Sequence, residues 1–442
     1  MHRYEFYESV TMRKGACQMI EMDLLALILF IGAILIAFIR HVNIGIIALA
    51  VGAICVRIFG MTDKNLISGI SSSMFCTLVG ITFLFAVIKA TGALDLLAKK
   101  IVAATGHRVW LLPLAMYAAG WIVAGVGPGA IPALAIIPAL AVTTAIQVGY
   151  NPLMLAIIGE LGLMSGRMTI LTPEAAIITH AAESAGITNV MPTILICQTL
   201  ITIVFGIILF IAYKGYKVKK PNNNLSADLP AFSKNQLISL SGIVLMLVLM
   251  IGFKINIGLA AFISASLLVL GGVSKDGECL KSLPWGTIIM VLGVGALLGV
   301  VDKVGGIKLM SSAISSIMNS TTATPLMGIS AGLLSLVSSA LGVVYPTMMP
   351  MCPDIASQVG GVDPVALMAA VGAGGSLAGL SPMSTGGALI LAALGTNIEN
   401  FTSTMQTKTF IQLLIISACA LLVIAVVSGL TFNFITEIVY RP

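Results

Sequence analysis

Long apolar runs separated by short polar segments are the dominant pattern of the chain. A membrane span needs about 20 apolar residues, because each residue of an α-helix rises about 1.5 Å. In the first half of the chain, such runs cover residues 24–39, 43–59, 74–90, 109–124, 130–147, 152–183 and 190–213. In the second half they cover 237–252, 256–273, 286–301, 325–340, 343–359, 364–395 and 409–430. The pattern predicts an all-α polytopic membrane protein.

The two halves of the chain resemble each other weakly. The tripeptide Asn43-Ile44-Gly45 returns as Asn256-Ile257-Gly258, and residue 256 lies 213 positions after residue 43. Seven further pairs of identical residues share this offset: Ala48/Ala261, Gly80/Gly293, Gly92/Gly305, Gly129/Gly342, Gly162/Gly375, Gly166/Gly379 and Thr172/Thr385. A weak internal repeat in a membrane protein is typical of secondary transporter folds.

Short, proline-interrupted runs predict one re-entrant hairpin in each half. The runs 109–124 and 130–147 are joined by the glycine-rich segment 125–129. The matching hairpin in the second half spans 325–359, with its tip near 338–342. Each half then has five spans plus one hairpin. Because five is an odd number, the second copy is inverted relative to the first.

These features divide the chain into two repeats and three polar segments. We expect residues 1–21 to be a polar leader outside the natural chain, which would then start at Met19 or Met22. The first repeat covers 22–213, with scaffold helices in 22–100 and a hairpin and transport helices in 109–213. A basic cytoplasmic linker covers 214–235. The second repeat covers 236–430, with scaffold helices in 236–310 and a hairpin and transport helices in 325–430, before a tail at 431–442. The amphipathic segment 94–101 predicts an interfacial arm helix.

Composition narrows the class of protein further. Of the 442 residues, 58% are hydrophobic and 9% are charged, and the mean hydropathy is +1.08. Soluble domains carry about 25% charged residues, so a soluble enzyme is excluded. The net charge of +6 reflects Lys and Arg in the loops, and their distribution places both termini outside the cell inner (plasma) membrane. The positive charge therefore indicates topology rather than nucleic-acid binding.

No motif indicates a catalyst or a cofactor. Walker and HExxH motifs do not occur in the sequence, so an enzyme or nucleotide hydrolysis is not indicated. The seven cysteines are scattered without a CxxC pair, which indicates neither a disulfide framework nor a metal site.

Two of the long runs contain segments that are unsuited to a plain lipid-facing helix. These are residues 165–174 and 374–387, and the second contains Ser381-Pro382-Met383-Ser384-Thr385. Unwound backbone at membrane depth is tolerated only where it is buried or lines a wet cavity. The exposed helix ends can bind anions at their amides and cations at their carbonyls. The alternative is that these small residues only let helices pack closely.

Ionisable residues cluster in the first interrupted run. Charged groups inside a membrane are costly, so they are usually functional or paired. Arg167 could bind a substrate carboxylate through two parallel hydrogen bonds, or it could pair with Glu160 or Glu174 in a structural role. The two acidic residues are also candidates for proton coupling. His180 and Glu183 are expected at a wetted surface.

Several motifs resemble those of the malonate/dicarboxylate carrier family. They are Asn43-Ile44-Gly45, residues 78–85, residues 125–129 and residues 381–389, and the resemblance covers most of 22–430. It implies the ion-transporter superfamily, whose divalent-anion/sodium symporters are elevator-type homodimers. In those symporters, two hairpin tips and two unwound loops hold sodium ions and substrate carboxylates. This chain departs from that pattern, because its first tip has no hydroxyl or amide side chain; Arg167 could replace a sodium ion as a tethered cation.

We therefore expect a secondary active transporter of small organic anions, C3–C4 dicarboxylates first, coupled to a cation by an elevator mechanism. The alternatives are a Na⁺/H⁺ antiporter and a monocarboxylate transporter of the same superfamily. The expected partners are a carboxylate substrate, the lipid bilayer and a second copy in a homodimer. No cofactor is expected beyond Na⁺ as a coupling ion. The expected substrate-binding residues are Gly127, Gly129, Arg167, Thr169, Thr172, Ser338, Ser339, Ser381, Pro382, Ser384 and Thr385. The expected Na⁺ ligands are Ser338, Ser339, Ser381, Ser384 and Thr385, with Glu160 and Glu174 as the candidates for proton coupling.

Overall fold

The structure is a computed structural model that describes residues 22–106, 108–218, 229–398 and 401–440. The predicted leader (1–21), the middle of the predicted linker (219–228) and residues 441–442 of the predicted tail lie outside the described residues. Within the described ranges the chain is helical and contains no β-strand, as the apolar runs predict.

Ten α-helices precede the linker in the described part of the chain: α1 (Met22–Ile39), α2 (Ile44–Ile58), α3 (Asp63–Ile67), α4 (Ser72–Ala90), α5 (Ala93–Ala103), α6 (Leu112–Gly125), α7 (Ala130–Val148), α8 (Pro152–Gly166), α9 (Pro173–Ser184) and α10 (Met191–Ala212). Eleven follow it: α11 (Lys234–Gly252), α12 (Ile257–Leu270), α13 (Asp276–Lys281), α14 (Trp285–Lys303), α15 (Gly306–Ser315), α16 (Ala323–Val337), α17 (Tyr345–Met348), α18 (Cys352–Val359), α19 (Pro364–Leu377), α20 (Thr385–Asn397) and α21 (Ser403–Val439). Within the described ranges, eight helical segments are long and apolar enough to cross a membrane, so the protein is a polytopic membrane protein.

Two helical regions differ from the predicted runs. Helix α21 extends beyond 409–430 at both ends and continues through most of the predicted tail, because residues 431–439 contain neither Gly nor Pro. The return arm of the second predicted hairpin is a series of short pieces, a π-helical turn at Ala340–Val344 followed by α17 and α18. Prolines at the starts of α17 and α18 interrupt this arm. The predicted arm helix corresponds to α5.

Glycines set the closest helix crossings. Gly45 of α2 lies against Gly293 of α14, and Gly258 of α12 lies against Gly80 of α4. A Cβ atom at any of these positions would overlap the backbone of the opposite helix. Gly45 and Gly258 are 213 positions apart in the sequence, and so are Gly80 and Gly293. The two crossings therefore use corresponding positions of the two halves.

The starts of corresponding helices are also built alike. The side chain of Asn43 accepts a hydrogen bond of 2.9 Å from the amide two residues later at the start of α2, and Asn256 does the same at the start of α12. Gly92 and Gly305, which precede α5 and α15, have φ angles of 71° and 89°, a region that glycine adopts without strain. Equivalent positions thus have equivalent structural roles, and the inverted orientation of the halves stays a prediction.

Two groups of helices meet at an internal interface. The first group contains α2, α4, α12 and α14, and the second contains α6–α8 and α10 together with α16 and α19–α21. Helices α8 and α19 are buried along almost their whole length and form the centre of the second group. The groups meet where α9 and α17 pack against α4 and α14. The candidate functional residues lie at this interface and at the centre of the second group.

Candidate functional site

The first predicted break separates α8 from α9. Helix α8 ends at Gly166, and α9 begins at Pro173 after six residues without regular helix. The Thr172 hydroxyl accepts a hydrogen bond of 3.1 Å from the Ala175 amide and donates one to the Arg167 carbonyl. Thr172 therefore caps α9 and closes the break with the same hydroxyl.

A hydroxyl also closes the second predicted break, between α19 and α20, but it makes no cap hydrogen bond to its own helix. The Ser384 hydroxyl, immediately before α20, donates to the carbonyl of Gly379, five residues earlier. Thr172 likewise donates to a carbonyl five residues earlier. The Ser381 hydroxyl accepts a 3.3 Å hydrogen bond from the Met383 amide. Ser381 and Pro382 are buried, whereas Thr385 is exposed.

The tip of the first predicted hairpin is held by a carboxylate from the first break. Gly127 and Gly129 have φ angles of 135° and 72°, and each lies so close to a neighbouring side chain that a Cβ atom would not fit. The neighbour of Gly127 is the Phe85 ring, and the neighbour of Gly129 is the Glu174 carboxylate. The Ala130 amide, at the start of α7, donates a 2.7 Å hydrogen bond to Glu174 Oε1. Glu174 therefore caps α7 rather than its own helix.

The Thr169 hydroxyl donates to the carbonyl of Gly125 and so ties the break to the other side of the same tip. The first break thus holds the first tip at two points, through Thr169 and Glu174. No hydroxyl or amide side chain of the tip itself is needed for this arrangement.

Arg167 connects the two halves of the chain at the centre of the site. Its Nη2 donates a 3.3 Å hydrogen bond to the Tyr345 hydroxyl, and its Nε lies 4.0 Å from Glu174 Oε1. Tyr345 in turn donates to the Gly372 carbonyl at 3.2 Å and shares a 3.0 Å hydrogen bond with Ser376. Of the two acidic partners predicted for Arg167, Glu174 is the one within ion-pair distance. The guanidinium is nevertheless incompletely paired, because its Nε has no hydrogen-bond partner.

Glu160 is isolated in the interior. Among the described residues, Glu160, Arg167 and Glu174 are the only buried charged side chains. Glu160 is 0% exposed, and neither of its carboxyl oxygens has a hydrogen-bond partner. Both oxygens lie against Gly386 in the first turn of α20, where the Gly379 carbonyl is also close. A carboxyl from the first half therefore faces the break in the second half.

The five hydroxyls predicted to bind Na⁺ fall into two groups, one at the second tip and one at the second break. Ser338 and Ser339 line a cavity of about 210 Å³ with residues of the α1–α2 region and α14. Ser338 donates to the Leu334 carbonyl at 2.6 Å, and Ser339 accepts from the Gly342 amide at 3.2 Å. The other three belong to the second break. No hydrogen bond in the described part of the chain connects the two groups, and the sodium site stays a prediction.

Cavities lie at both ends of the interface between the helix groups. A cavity of about 580 Å³ is lined by the start of α4, the second half of α9, and α14, α17 and α18. A smaller one, of about 100 Å³, lies at the other end of α4 and is lined by Lys89, Pro128 and Glu174. Half-buried His180 lines the large cavity and Glu183 is exposed, and the wetted surface expected for both stays a prediction.

Sequence reasoning missed two participants. No sequence pattern marks Tyr345 as functional, because a single tyrosine in an apolar run is common. Only the structure shows that its hydroxyl contacts Arg167. A lysine at the end of an apolar run indicates only topology, yet Lys89 lines the same cavity as Glu174.

Solved structures with a similar fold are transporters. YdaH from Alcanivorax borkumensis, described as a transporter of unusual topology, aligns with a TM-score of 0.58 at 14% identity, over 86% of this chain and 89% of that one. MtrF from Neisseria gonorrhoeae, described as illuminating a class of antimetabolite efflux pumps, aligns with a TM-score of 0.50 at 13% identity, over 85% of this chain and 84% of that one. At these identities the likeness establishes the fold alone. A comparison with curated proteins finds no match.

The sequence profile of the citrate transporter family, CitMHS, matches residues 27–374. This family belongs to the same superfamily that the sequence motifs indicate, but the match does not reproduce the narrower resemblance to malonate/dicarboxylate carriers. Carriers of this kind move organic anions across a membrane and are not enzymes. Because the match covers well over half of its length, the chain belongs to the citrate transporter family.

Proposed function

We propose that the protein is a secondary active transporter that binds a di- or tricarboxylate anion at Arg167 and moves it by an elevator mechanism. Family membership supports the organic-anion class. Beyond this class, we propose Arg167 as the binding residue, an elevator mechanism and coupling to a cation. We also propose a homodimer in the inner (plasma) membrane with both termini outside.

The observation that carries the proposal is the position of Arg167. It is the only buried cationic side chain in the described part of the chain, and it lies in the unwound segment between α8 and α9. Its Nε lies within ion-pair distance of Glu174 in the first break, and its Nη2 donates a hydrogen bond to Tyr345 in the second half. A guanidinium binds carboxylates with geometric specificity, and burial strengthens that interaction. Its unpartnered Nε leaves a donor for a ligand.

The family name and the sequence resemblance suggest different substrates of the same chemical class. The family is described by citrate, a tricarboxylate, whereas the resemblance implies C3–C4 dicarboxylates. Both kinds of anion offer a carboxylate to Arg167. Citrate is therefore the first substrate to test, and succinate and malonate are the next.

The two cavities support alternating access. They open at opposite ends of α4, on the interface between the group α2/α4/α12/α14 and the group that contains α8 and α19. We assign the first group as the scaffold and the second as the moving part. Equivalent glycine crossings and helix starts in the two halves favour a repeated architecture, as transporters of this type have.

Glu160 is the strongest candidate for cation coupling. An ionised carboxylate buried without a partner costs several kcal/mol, so the group requires a bound proton or metal cation. The carbonyl of Gly379 and the Ser384 hydroxyl lie at the neighbouring break and offer oxygen ligands. We assign the coupling cation to this position, with H⁺ and Na⁺ as the two candidates.

The test is uptake of radiolabelled citrate, succinate and malonate into proteoliposomes, with an inward Na⁺ gradient, a pH gradient or neither. We expect gradient-driven uptake of at least one of these anions by the wild-type protein. Arg167→Ala should reduce uptake about tenfold to a hundredfold, because a hydrogen bond to a charged group contributes about 1.5–3 kcal/mol. The control is Arg108→Ala, which removes an exposed arginine outside the site.

Three outcomes would contradict the proposal. Equal uptake by Arg167→Ala and the wild type would remove Arg167 from substrate binding. Exchange of Na⁺ for H⁺ without any organic anion would indicate the antiporter. Transport of lactate or acetate in place of di- and tricarboxylates would indicate a monocarboxylate transporter.

A further inference from the structure

The carboxylate of Glu174 is bound in the manner expected for a bound anion. Its Oε1 accepts a 2.7 Å hydrogen bond from the Ala130 amide, the first residue of α7. The same oxygen lies 4.0 Å from Arg167 Nε. Gly129 makes room for the carboxylate, because a Cβ atom there would overlap it. Three features of the chain, from two separate segments, converge on one negative group.

These features are the ones that recognise a free carboxylate. Helix α7 has 19 residues, and the partial positive charge at its N-terminus attracts anions. Arg167 adds a full positive charge, and its buried Nε has no hydrogen-bond partner. Glu174 is 2% exposed, and its Oε2 has no partner either. The anion site therefore has one donor, Arg167 Nε, that Glu174 leaves without a hydrogen bond in this conformation.

We propose that Glu174 occupies the subsite of a substrate carboxylate and is displaced when the substrate binds. The inference rests on the proposed function, since it takes the ligand to be an organic di- or tricarboxylate. Glu174 then acts as an internal competitor that keeps Arg167 and the start of α7 paired while the transporter is empty. One substrate carboxylate takes over the Ala130 amide and the guanidinium, and the Glu174 side chain moves aside.

The structure offers a destination for the displaced carboxylate. Glu174 lines the cavity of about 100 Å³ together with Thr82 and Lys89 of α4. Rotation into this cavity brings the carboxylate towards a hydroxyl and an ammonium group. Besides Arg167 and Lys89, the titratable side chains on α9 and on the elements packed against it are His180 and Glu183 of α9, Cys76 of α4, Tyr345 of α17 and Cys197 of α10. Lys89 is the only cation among those on α4, α10 and α17, so it is the natural partner of the displaced carboxylate.

The decisive experiment measures citrate and succinate affinity by calorimetry on the purified full-length protein and on Glu174→Gln. Glutamine retains an oxygen for the Ala130 amide but lacks the charge that competes for Arg167. If only a fraction of the protein molecules has the subsite free, the apparent affinity for the ligand is lower by that fraction. If Glu174 holds the subsite about nine-tenths of the time, Glu174→Gln should bind about tenfold more tightly. Glu183→Gln, the same change at an exposed position of the same helix, should bind as the wild type does.

A second variant covers the case in which Glu174→Gln does not fold. Glu174→Asp retains the charge but shortens the side chain by one methylene, which withdraws the carboxylate from the Ala130 amide. It should also bind citrate or succinate more tightly than the wild type. Melting temperature and elution volume report whether each variant is folded.

Two results would overturn the inference, and they differ in what else they overturn. If the wild type binds either anion and folded Glu174→Gln or Glu174→Asp binds it no more tightly, Glu174 is not a competitor, and the proposed function stands. If none of the folded proteins binds any of the tested carboxylates, the proposed function fails as well.

Discussion

The Tyr345 hydroxyl joins the two halves of the chain by accepting a 3.3 Å hydrogen bond from Arg167 Nη2. Arg167 follows α8 and Tyr345 begins α17, and the two residues are 178 positions apart in the sequence. The same hydroxyl contacts the Gly372 carbonyl and Ser376 on α19. The orientation of the guanidinium is thus fixed by the buried centre of the second half. A substrate that binds Arg167 would therefore affect contacts in both halves.

Tyr345→Phe tests this connection. Loss of the hydroxyl leaves one guanidinium nitrogen without its partner, so we expect a stability loss of about 1–3 kcal/mol. Substrate affinity should fall several-fold, because Arg167 is then free to take other orientations. Tyr150→Phe is the matched control, since its hydroxyl is also buried and donates to a carbonyl, that of Val109, outside the site. If the two variants lost stability equally and neither lost affinity, Tyr345 would have only a structural role.

The glycines at the crossings of α2 with α14 and of α12 with α4 predict a loss of stability when they are replaced. Gly45→Ala and Gly258→Ala each place a methyl group into the backbone of a facing helix, so α2 must move away from α14, or α12 from α4. Such overpacking costs about 1–3 kcal/mol or more. Gly32→Ala is the control, because a Cβ atom there meets no atom within 4 Å. Thermal unfolding of the three variants in detergent gives the comparison, and a neutral Gly45→Ala would show that the crossing is looser than described.

Glu160→Gln distinguishes a role of Glu160 in cation coupling from a role in folding. Glutamine has nearly the same shape without a charge to bury, so we expect the variant to be at least as stable as the wild type. Uptake driven by the coupling gradient should fall at least about tenfold, since a neutral amide neither binds a proton nor replaces a carboxylate as a cation ligand. Substrate exchange without a gradient should remain. Unchanged gradient-driven uptake would exclude Glu160 from coupling.

The helical architecture was readable from the sequence, because the apolar runs leave little choice of element. The breaks were readable too, since Thr172-Pro173 and Ser381-Pro382 interrupt otherwise apolar helices. The first glycine-rich tip likewise appears where its composition predicts it. The repeat offset even located the crossing glycines, although their partners could be found only in the structure.

The pairing of charged residues could not be predicted in the same way. Glu160 and Glu174 were equivalent candidates, because both are acidic residues seven positions from Arg167 in the sequence. The structure distinguishes them by tertiary contacts, since Glu174 reaches the start of α7, whereas Glu160 faces Gly386 from a helix of the other half. Side-chain direction across a helix break depends on packing that no local pattern records.

The two groups of predicted sodium ligands give the last prediction, on the origin of any sodium dependence. Glu160 lies against Gly386, which is also close to the Gly379 carbonyl, and the Ser384 hydroxyl donates to that carbonyl. Ser338, in contrast, is bonded to its own helix at Leu334 and lines a cavity near α1. If Na⁺ is the coupling ion and binds beside Glu160, Ser384→Ala should raise the Na⁺ concentration for half-maximal uptake several-fold. Ser338→Ala, the same loss of a hydroxyl at the second tip, should leave it unchanged. The reverse result, a higher Na⁺ requirement for Ser338→Ala and none for Ser384→Ala, would place the cation at the second tip and contradict a site that uses the Ser384 hydroxyl.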